Sequence, residues 1–183
     1  LKAQINPHFF FNSLNSIYSL TYTDIEDSRN ALHTLSRMMR YLLYSTEETT
    51  TLLKEADFMK DFIALMKLRA NSKLTITTDI PQKIHDYPIV PMLLLPLVEN
   101  AFKHGVHATD KSEIHISLRQ KDSTLEFEVE NTYFEKSSTT NEGGIGLTNT
   151  KRRLHLIYPD KHTLKAGIAP NGKYNVKLHL TLD

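Results

Sequence analysis

Glu99, Asn100, Lys103, His104 and His107 crowd into one short stretch, PMLLLPLVENAFKHGVH, from Pro91 to His107. At i, i+3 and i+4 spacing they share one edge of a helix. The other edge, Leu94, Leu97, Val98, Ala101 and Phe102, is apolar at the same period and must be buried. A carboxylate, an amide, an ammonium and an imidazole on the rim of a buried helix form a donor set for a hard divalent cation and phosphate oxygens. Gly105 ends the helix. The competing explanation is an ordinary i,i+4 ion pair between Glu99 and Lys103, with Asn100 and His104 solvated. A metal hydrolase built on His104 and His107 is the weakest reading, because no third ligand at helical spacing is evident beyond Glu99 and Asn100.

Two further stretches carry chemistry. In LKAQINPHFFFNSLNSIYSL, residues 1–20, His8 lies beside the backbone irregularity at Pro7, and Asn12 lies one turn on, within reach of the imidazole. Either a helix running from Leu1 is kinked at Pro7, or it starts there with Asn6 as its N-cap. A neutral imidazole, with an unperturbed pKa near ~6.5, keeps a free lone pair at neutral pH and can act as a nucleophile. Further on, Gly143-Gly144-Ile145-Gly146-Leu147 opens a helix with Leu147, Leu154, Ile157 and Tyr158 on its inner face. Glycines at a loop-to-helix junction let backbone N–H groups approach an anion, although a flexible turn would read the same way. Lys151, Arg152 and Arg153 on that helix read as a solvated basic face rather than a nucleic-acid site.

The elements that must position these groups follow from periodicity. The first helix has Leu1, Ile5, Phe9, Phe10, Leu14 and Ile17 as apolar contacts, and Gln4, His8, Asn12, Asn15 and Ser19 on a polar stripe. Thr23 with Glu26 suggests a capping box. It opens a second helix whose stripe is Ala31, Leu32, Leu35, Met38, Met39, Leu42 and Leu43. Two such helices cannot cover both flanks by themselves, so a second copy completing a four-helix bundle is expected. STEETTT, Ser45 to Thr51, is polar and unpatterned and reads as a linker dividing residues 1–48 from 51–183. A third helix, Leu53 to Arg69, buries Phe58, Phe62, Leu65 and Met66. Period-two alternation then marks strands at Leu74–Ile80, Ile114–Leu118, Leu125–Val129, Leu164–Ile168 and Val176–Leu182. One-sided strands with three helices predict an α+β class, a two-layer sandwich with helices on one sheet face. Tyr133 to Glu142 reads as a mobile loop leading into the glycines.

Composition bounds the function. With 183 residues and 40% hydrophobic content the chain can build a sizeable core. Its 22 Lys and Arg against 21 Asp and Glu leave no global basic field, so direct nucleic-acid binding is not expected. Without cysteine there is no disulfide scaffold or thiolate metal site. No run reaches the length of a membrane span. The chain begins at Leu1 within a pattern, and an upstream segment, membrane-embedded, is expected ahead of it.

Taken in order and at these separations, INPHFFFNSLNSI, PLVENAFKHGV and GGIGLTNTKRRL resemble the sensor histidine kinases of the LytS/YehU type, over nearly the whole chain. The resemblance implies a dimeric helical hairpin bearing the phosphoacceptor, followed by a GHKL-type (Bergerat) ATP-binding sandwich. It places the phosphorylated histidine on His8 and the Mg²⁺-binding asparagine on Asn100. Glu99, Lys103, His104 and Gly105 fall in the asparagine box. Gly143, Gly144, Gly146 and Leu147 fall in the phosphate loop, with Asn149 and Arg153 in its continuation. ATP and Mg²⁺ are the implied cofactors. The implied partners are a second copy and a response regulator, of the kind with a LytTR-type DNA-binding output domain, and the implied setting is the cytoplasmic portion of a bacterial inner-membrane protein.

Three positions depart from the family pattern. The family's adenine-binding Asp, in an Asp-x-Gly-x-Gly motif, is Asn131 here, without the glycines; an amide oxygen accepts the same bond without the charge. Leu95 replaces a Gln. Phe9 follows His8 where other histidine kinase classes carry an acid, and Asn12 can orient the imidazole but cannot take its proton. These departures define an alternative, a degenerate module that binds nucleotide weakly and signals by hairpin packing alone.

Overall fold

The computed structural model describes residues 7–44, 49–135 and 145–182. Helix α1 (Pro7–Leu20) and helix α2 (Ile25–Tyr44) form a hairpin. The first described helical residue is Pro7, so the choice between the two helix starts turns on residues 1–6, outside the described residues. The cap of α2 is not the expected Thr23. Asp24 accepts the Asp27 N–H at 2.9 Å, while the Thr23 hydroxyl turns back to the Leu20 carbonyl. A carboxylate at the N-cap satisfies an orphan donor and suits the helix dipole better than a hydroxyl. Glu26 instead faces Arg29 across one turn.

A two-residue strand β1 (Thr50–Thr51) runs into helix α3 (Leu52–Leu68). This corrects the end of the expected linker. Thr50 and Thr51 pair antiparallel with β3 (Pro88–Ile89), and the Thr51 hydroxyl caps α3 by accepting from the Lys54 N–H. Period analysis cannot see a two-residue strand that exists only because its partner lies far along the chain. Helix α4 (Leu95–His104) and helix α5 (Ile145–Ile157) complete the helical layer.

The second layer is a five-stranded mixed sheet. Its order is β2 (Leu74–Asp79), β4 (Ser112–Lys121), β5 (Thr124–Asn131), β7 (Tyr174–Thr181) and β6 (His162–Ile168). Only β2 and β4 run parallel. Register sets Ile116 opposite Val129 and Leu118 opposite Phe127, with Leu178 beyond Phe127. These residues bury one sheet face against the helices, as strict alternation demands. The fold is thus α+β, a two-layer sandwich preceded by a helical hairpin.

The hairpin packs on the sandwich through α3. Phe9 stacks on Phe62 with ring centroids 5.0 Å apart, Tyr41 stacks on Phe58 at 4.6 Å, and Arg37 forms a two-pronged ion pair with Asp61. Phe9, Ile17, Ala31, Leu35 and Met38 share one hydrophobic cluster with the sandwich core. Leu14, Leu32, Met39 and Leu43, expected as apolar contacts, are exposed within the single chain.

Candidate nucleotide site and phosphoacceptor

Helix α4 starts abruptly. Its N-cap residue Leu94 has no capping side chain, and Pro96 supplies the fixed φ favoured in a first turn. The inner face, Leu94, Leu97, Val98, Ala101 and Phe102, is buried as its period requires. Glu99 and Asn100 sit half-buried on the rim, His104 is also half-buried, and Lys103 is exposed. The plain ion pair between Glu99 and Lys103 does not form. Burial pushes the Glu99 carboxyl above the usual carboxylate range. A partly desolvated carboxylate beside an amide oxygen is the chemistry that a hard cation satisfies, so Glu99 and Asn100 fit Mg²⁺. His107 is not on this edge. The helix has ended at His104, and the His107 ring pairs with Asp110 at 2.9 Å and lies against Phe134.

Gly105 closes the helix in an unexpected way. Its φ of −95° is accessible to any residue, so no left-handed turn requires glycine here. Space does. A Cβ at Gly105 would lie 2.5 Å from Asn131 Cβ and 2.7 Å from the Ala101 carbonyl. Asn131, at the end of β5, is thereby seated against the end of α4, buried, with its amide N–H donating to the Thr132 carbonyl at 2.8 Å. The topology therefore brings Asn131, 26 residues further along the chain, against Gly105 at the end of the helix that carries Asn100.

Helix α5 packs against α4. Gly146 and Asn149 are exposed at its start, Leu147 is buried, and the Thr150 hydroxyl returns to the Gly146 carbonyl at 2.9 Å. Gly143 and Gly144 lie outside the described residues, as does most of the expected mobile loop. Arg153 donates to the Pro91 and Met92 carbonyls at 2.7 and 3.2 Å, so it braces the approach to α4. Burial holds its guanidinium below the usual arginine value.

His8 is exposed on α1, and Asn12 Nδ2 lies 3.1 Å from each of its ring nitrogens, the accepting one being set by the tautomer. The next residue, Phe9, is buried on Phe62, and Phe62 meets Phe102 of α4 edge-on at 6.1 Å. Three rings thus connect the neighbour of His8 to the helix that carries Asn100.

Sequence reasoning missed Glu55 and Tyr41. Glu55 on α3 is fully buried, and its carboxylate accepts from Tyr41 Oη at 2.7 Å, Met92 N at 3.0 Å and Leu94 N at 3.1 Å. A signal existed: Glu55 lies three before Phe58 and seven before Phe62, a charge on the buried stripe of its helix.

A helical hairpin packed on a mixed sandwich, with the asparagine helix and a glycine-started helix side by side, is the fold of GHKL-type histidine kinase catalytic regions. Comparison with known proteins agrees. A family model described as "Histidine kinase" matches residues 1–74. The chain is 30% identical over 181 residues to the sensor histidine kinase BtsS of Escherichia coli K12, covering 98% of this chain and 32% of BtsS. It is 26% identical over 197 residues to the sensor protein LytS of Enterococcus faecalis, covering 100% of this chain and 33% of LytS. Among solved structures, the histidine kinase domain of the Erythrobacter litoralis EL346 blue-light activated kinase has a TM-score of 0.56 at 12% identity, covering 97% of this chain and 96% of that one. Histidine kinase ThkA, in complex with response regulator protein TrrA, has a TM-score of 0.52 at 14% identity, covering 97% and 60%; both likenesses concern the fold. Over nearly all of its length the chain is thus similar to LytS and other sensor histidine kinases, and it spans about a third of the length of the relatives it matches.

Proposed function

We propose that this region autophosphorylates His8 from MgATP and passes the phosphoryl group to a response-regulator aspartate. The observation that carries the proposal is the pairing of an exposed, Asn12-contacted His8 with a partly desolvated Glu99–Asn100 rim in one chain. Attack by a neutral imidazole nitrogen forms an N–P bond as the bond from the γ-phosphorus to the β,γ-bridging oxygen breaks. ADP leaves, and the proton on the other ring nitrogen is released to solvent. Little covalent work is asked of the protein, so positioning and charge compensation supply most of the rate.

In this reading Asn100, with Glu99, would hold Mg²⁺, which when bound offsets the charge of the phosphate oxygens. Lys103 and the backbone at Gly143, Gly144 and Gly146 add positive potential, with Leu147 and Asn149 beside them. Asn131 commits its N–H to Thr132 and leaves its side-chain oxygen to accept from the adenine amino group. Asn12 orients the attacking ring. Residues 1–48 form the phosphotransfer hairpin and 51–183 the ATP-binding unit. A homodimer is supported by the apolar residues that one chain leaves uncovered on the hairpin, among them Phe11, Leu14, Leu32, Met39 and Leu43. ThkA was solved with a response regulator, and that supports the same class of partner here, one with a LytTR-type output by family resemblance. No described helix is long and apolar enough to cross a membrane; the family supports a cytoplasmic placement behind an upstream membrane segment.

The test is incubation with γ-labelled ATP and Mg²⁺. An acid-labile adduct that disappears in His8→Gln is expected. Absence of label in a protein whose ATP site is shown to be filled rejects autokinase activity of this region.

A further inference from the structure

A carboxylate with no access to water normally sits opposite a cation, yet Glu55 on α3 faces none at hydrogen-bonding distance among the described residues. Its partners are three neutral donors: Tyr41 Oη, Met92 N and Leu94 N. Arg153 contributes only longer-range attraction, and its own fork is spent on the Pro91 and Met92 carbonyls. Three features give this arrangement a purpose. Helix α4 lacks a capping side chain of its own, and an anion at a helix N-terminus satisfies orphan N–H groups and the helix dipole together, so Glu55 acts as a cap supplied from another helix. Met92 has φ +56°, a conformation that side chains other than glycine adopt at a cost and keep only where neighbours over-determine it. Here the neighbours are Glu55 on the Met92 N–H, Arg153 on its carbonyl, and Tyr158 Oη accepting the Val90 N–H at 3.0 Å. The third donor to Glu55, Tyr41, belongs to neither the sandwich nor the loop. It comes from the last turn of the hairpin's second helix.

We infer that Glu55 is the positioning residue of the asparagine-bearing helix, and that Tyr41 makes its hold depend on the docked hairpin, so that nucleotide affinity and hairpin docking are linked. The linkage rests on the reading that α4 carries the MgATP site; the capping role does not. When the hairpin lifts from α3, Glu55 loses its side-chain donor and gains access to water, and the carboxylate grips Met92 and Leu94 less firmly. The start of α4 loosens, and with it the alignment of Glu99 and Asn100. By reciprocity, nucleotide that orders α4 favours the docked hairpin by the same factor. Structural changes in the hairpin are thereby transmitted to the ATP site through one carboxylate rather than through the linker alone.

The decisive variant is Tyr41→Phe in the whole 183-residue chain, because it keeps the ring on Phe58 and removes only the hydroxyl. Glu55→Gln is the harsher companion, and the conclusion does not depend on its folding. Amide hydrogen exchange without nucleotide is expected to be about tenfold faster at Met92 and Leu94 in Tyr41→Phe, the worth of one bond to a charged group. Amides in the middle of α3 should keep their wild-type rates. Unchanged exchange at Met92 and Leu94 overturns the capping role. Titration with a fluorescent ATP analogue and Mg²⁺, well below the melting temperature, is expected to show several-fold weaker binding. Equal affinity in the two proteins overturns the linkage, since a purely structural hydroxyl lowers Tm without moving Kd. If wild type itself binds no analogue, the MgATP reading falls and takes the linkage with it, and the exchange rates still decide whether Glu55 caps α4.

Discussion

Gly105 and Asn131 are in contact so close that no side chain larger than hydrogen fits between them: a Cβ on the glycine would lie 2.5 Å from the asparagine Cβ and 2.6 Å from its amide nitrogen. The end of the asparagine helix and the end of β5 are thereby fixed against each other. Gly105→Ala forces one of them to move. Overpacking of this kind costs about 1–3 kcal/mol, and the loss should appear in chemical denaturation. Under the proposed adenine contact, the displaced Asn131 should also weaken binding of adenine nucleotides more than binding of triphosphate alone. Wild-type stability and affinity in Gly105→Ala would show that the junction relaxes freely.

Helix α4 and the five long strands were legible in the sequence because their patterns are local, a 3.6-residue stripe and strict alternation. The reason for Gly105 was not. A glycine after a helix suggests a left-handed cap, and only the approach of a strand encoded further along reveals a packing constraint. Glu55 was missed for a related reason: its position on the buried stripe was a signal, but its partners, Tyr41 and the backbone N–H groups of Met92 and Leu94, lie on other elements that its own helix pattern does not record. The strand at Thr50–Thr51 and the Asp24 cap were misread where a short polar run offered several equivalent starts. His8, Asn12, Glu99 and Asn100 stood out by type and spacing. Their roles came from the family resemblance, since the same spacings also fit a solvated surface.

Arg37 and Asp61 join the hairpin to α3 by a two-pronged ion pair in which the carboxylate is buried and the guanidinium about half exposed. The asymmetry sets the expectation. Arg37→Ala strands a buried charge and should destabilise the chain by about 2–3 kcal/mol, less than the full loss for a pair buried on both sides. Asp61→Asn leaves an exposed arginine in water and should cost less. Urea unfolding of both variants tests this ordering; a loss below about 0.5 kcal/mol for Arg37→Ala would reduce the contact to an ordinary surface pair.

Leu32 and Met39 lie on the hairpin face that one chain leaves uncovered, whereas Leu35 and Met38 point into the shared core. Under the proposed dimer, Leu32→Glu with Met39→Glu should convert the protein to monomer in sedimentation equilibrium while its helical circular dichroism persists. Leu35→Glu should unfold the hairpin instead, because it buries an unpaired charge. A wild-type protein that is monomeric at tens of micromolar would leave that apolar face for some other partner.

Glu99 gives a prediction in pH. Burial raises its carboxyl above the ordinary value of 4.5. Below the ordinary carboxylate range it is protonated in folded and unfolded chains alike, and burial costs nothing. As pH rises, the unfolded chain releases its proton first and therefore binds fewer protons than the folded one, so folding stability falls. The fall stops once the folded carboxyl also ionises. Glu99→Gln carries no such penalty. Its Tm should match wild type in acid, exceed it increasingly as pH rises through the carboxylate range, and hold a constant lead beyond the folded pKa. Glu55 shifts in the same direction but is present in both proteins and cancels in the comparison. Under the proposed function, a magnesium–nucleotide complex beside Glu99 would favour the charged form, so saturating Mg²⁺ and ATP analogue should stabilise wild type more than Glu99→Gln and narrow the gap at neutral pH. Differential scanning calorimetry across pH, with and without the analogue, reads both effects; a gap that ignores pH would show that burial of Glu99 is not what separates the two proteins.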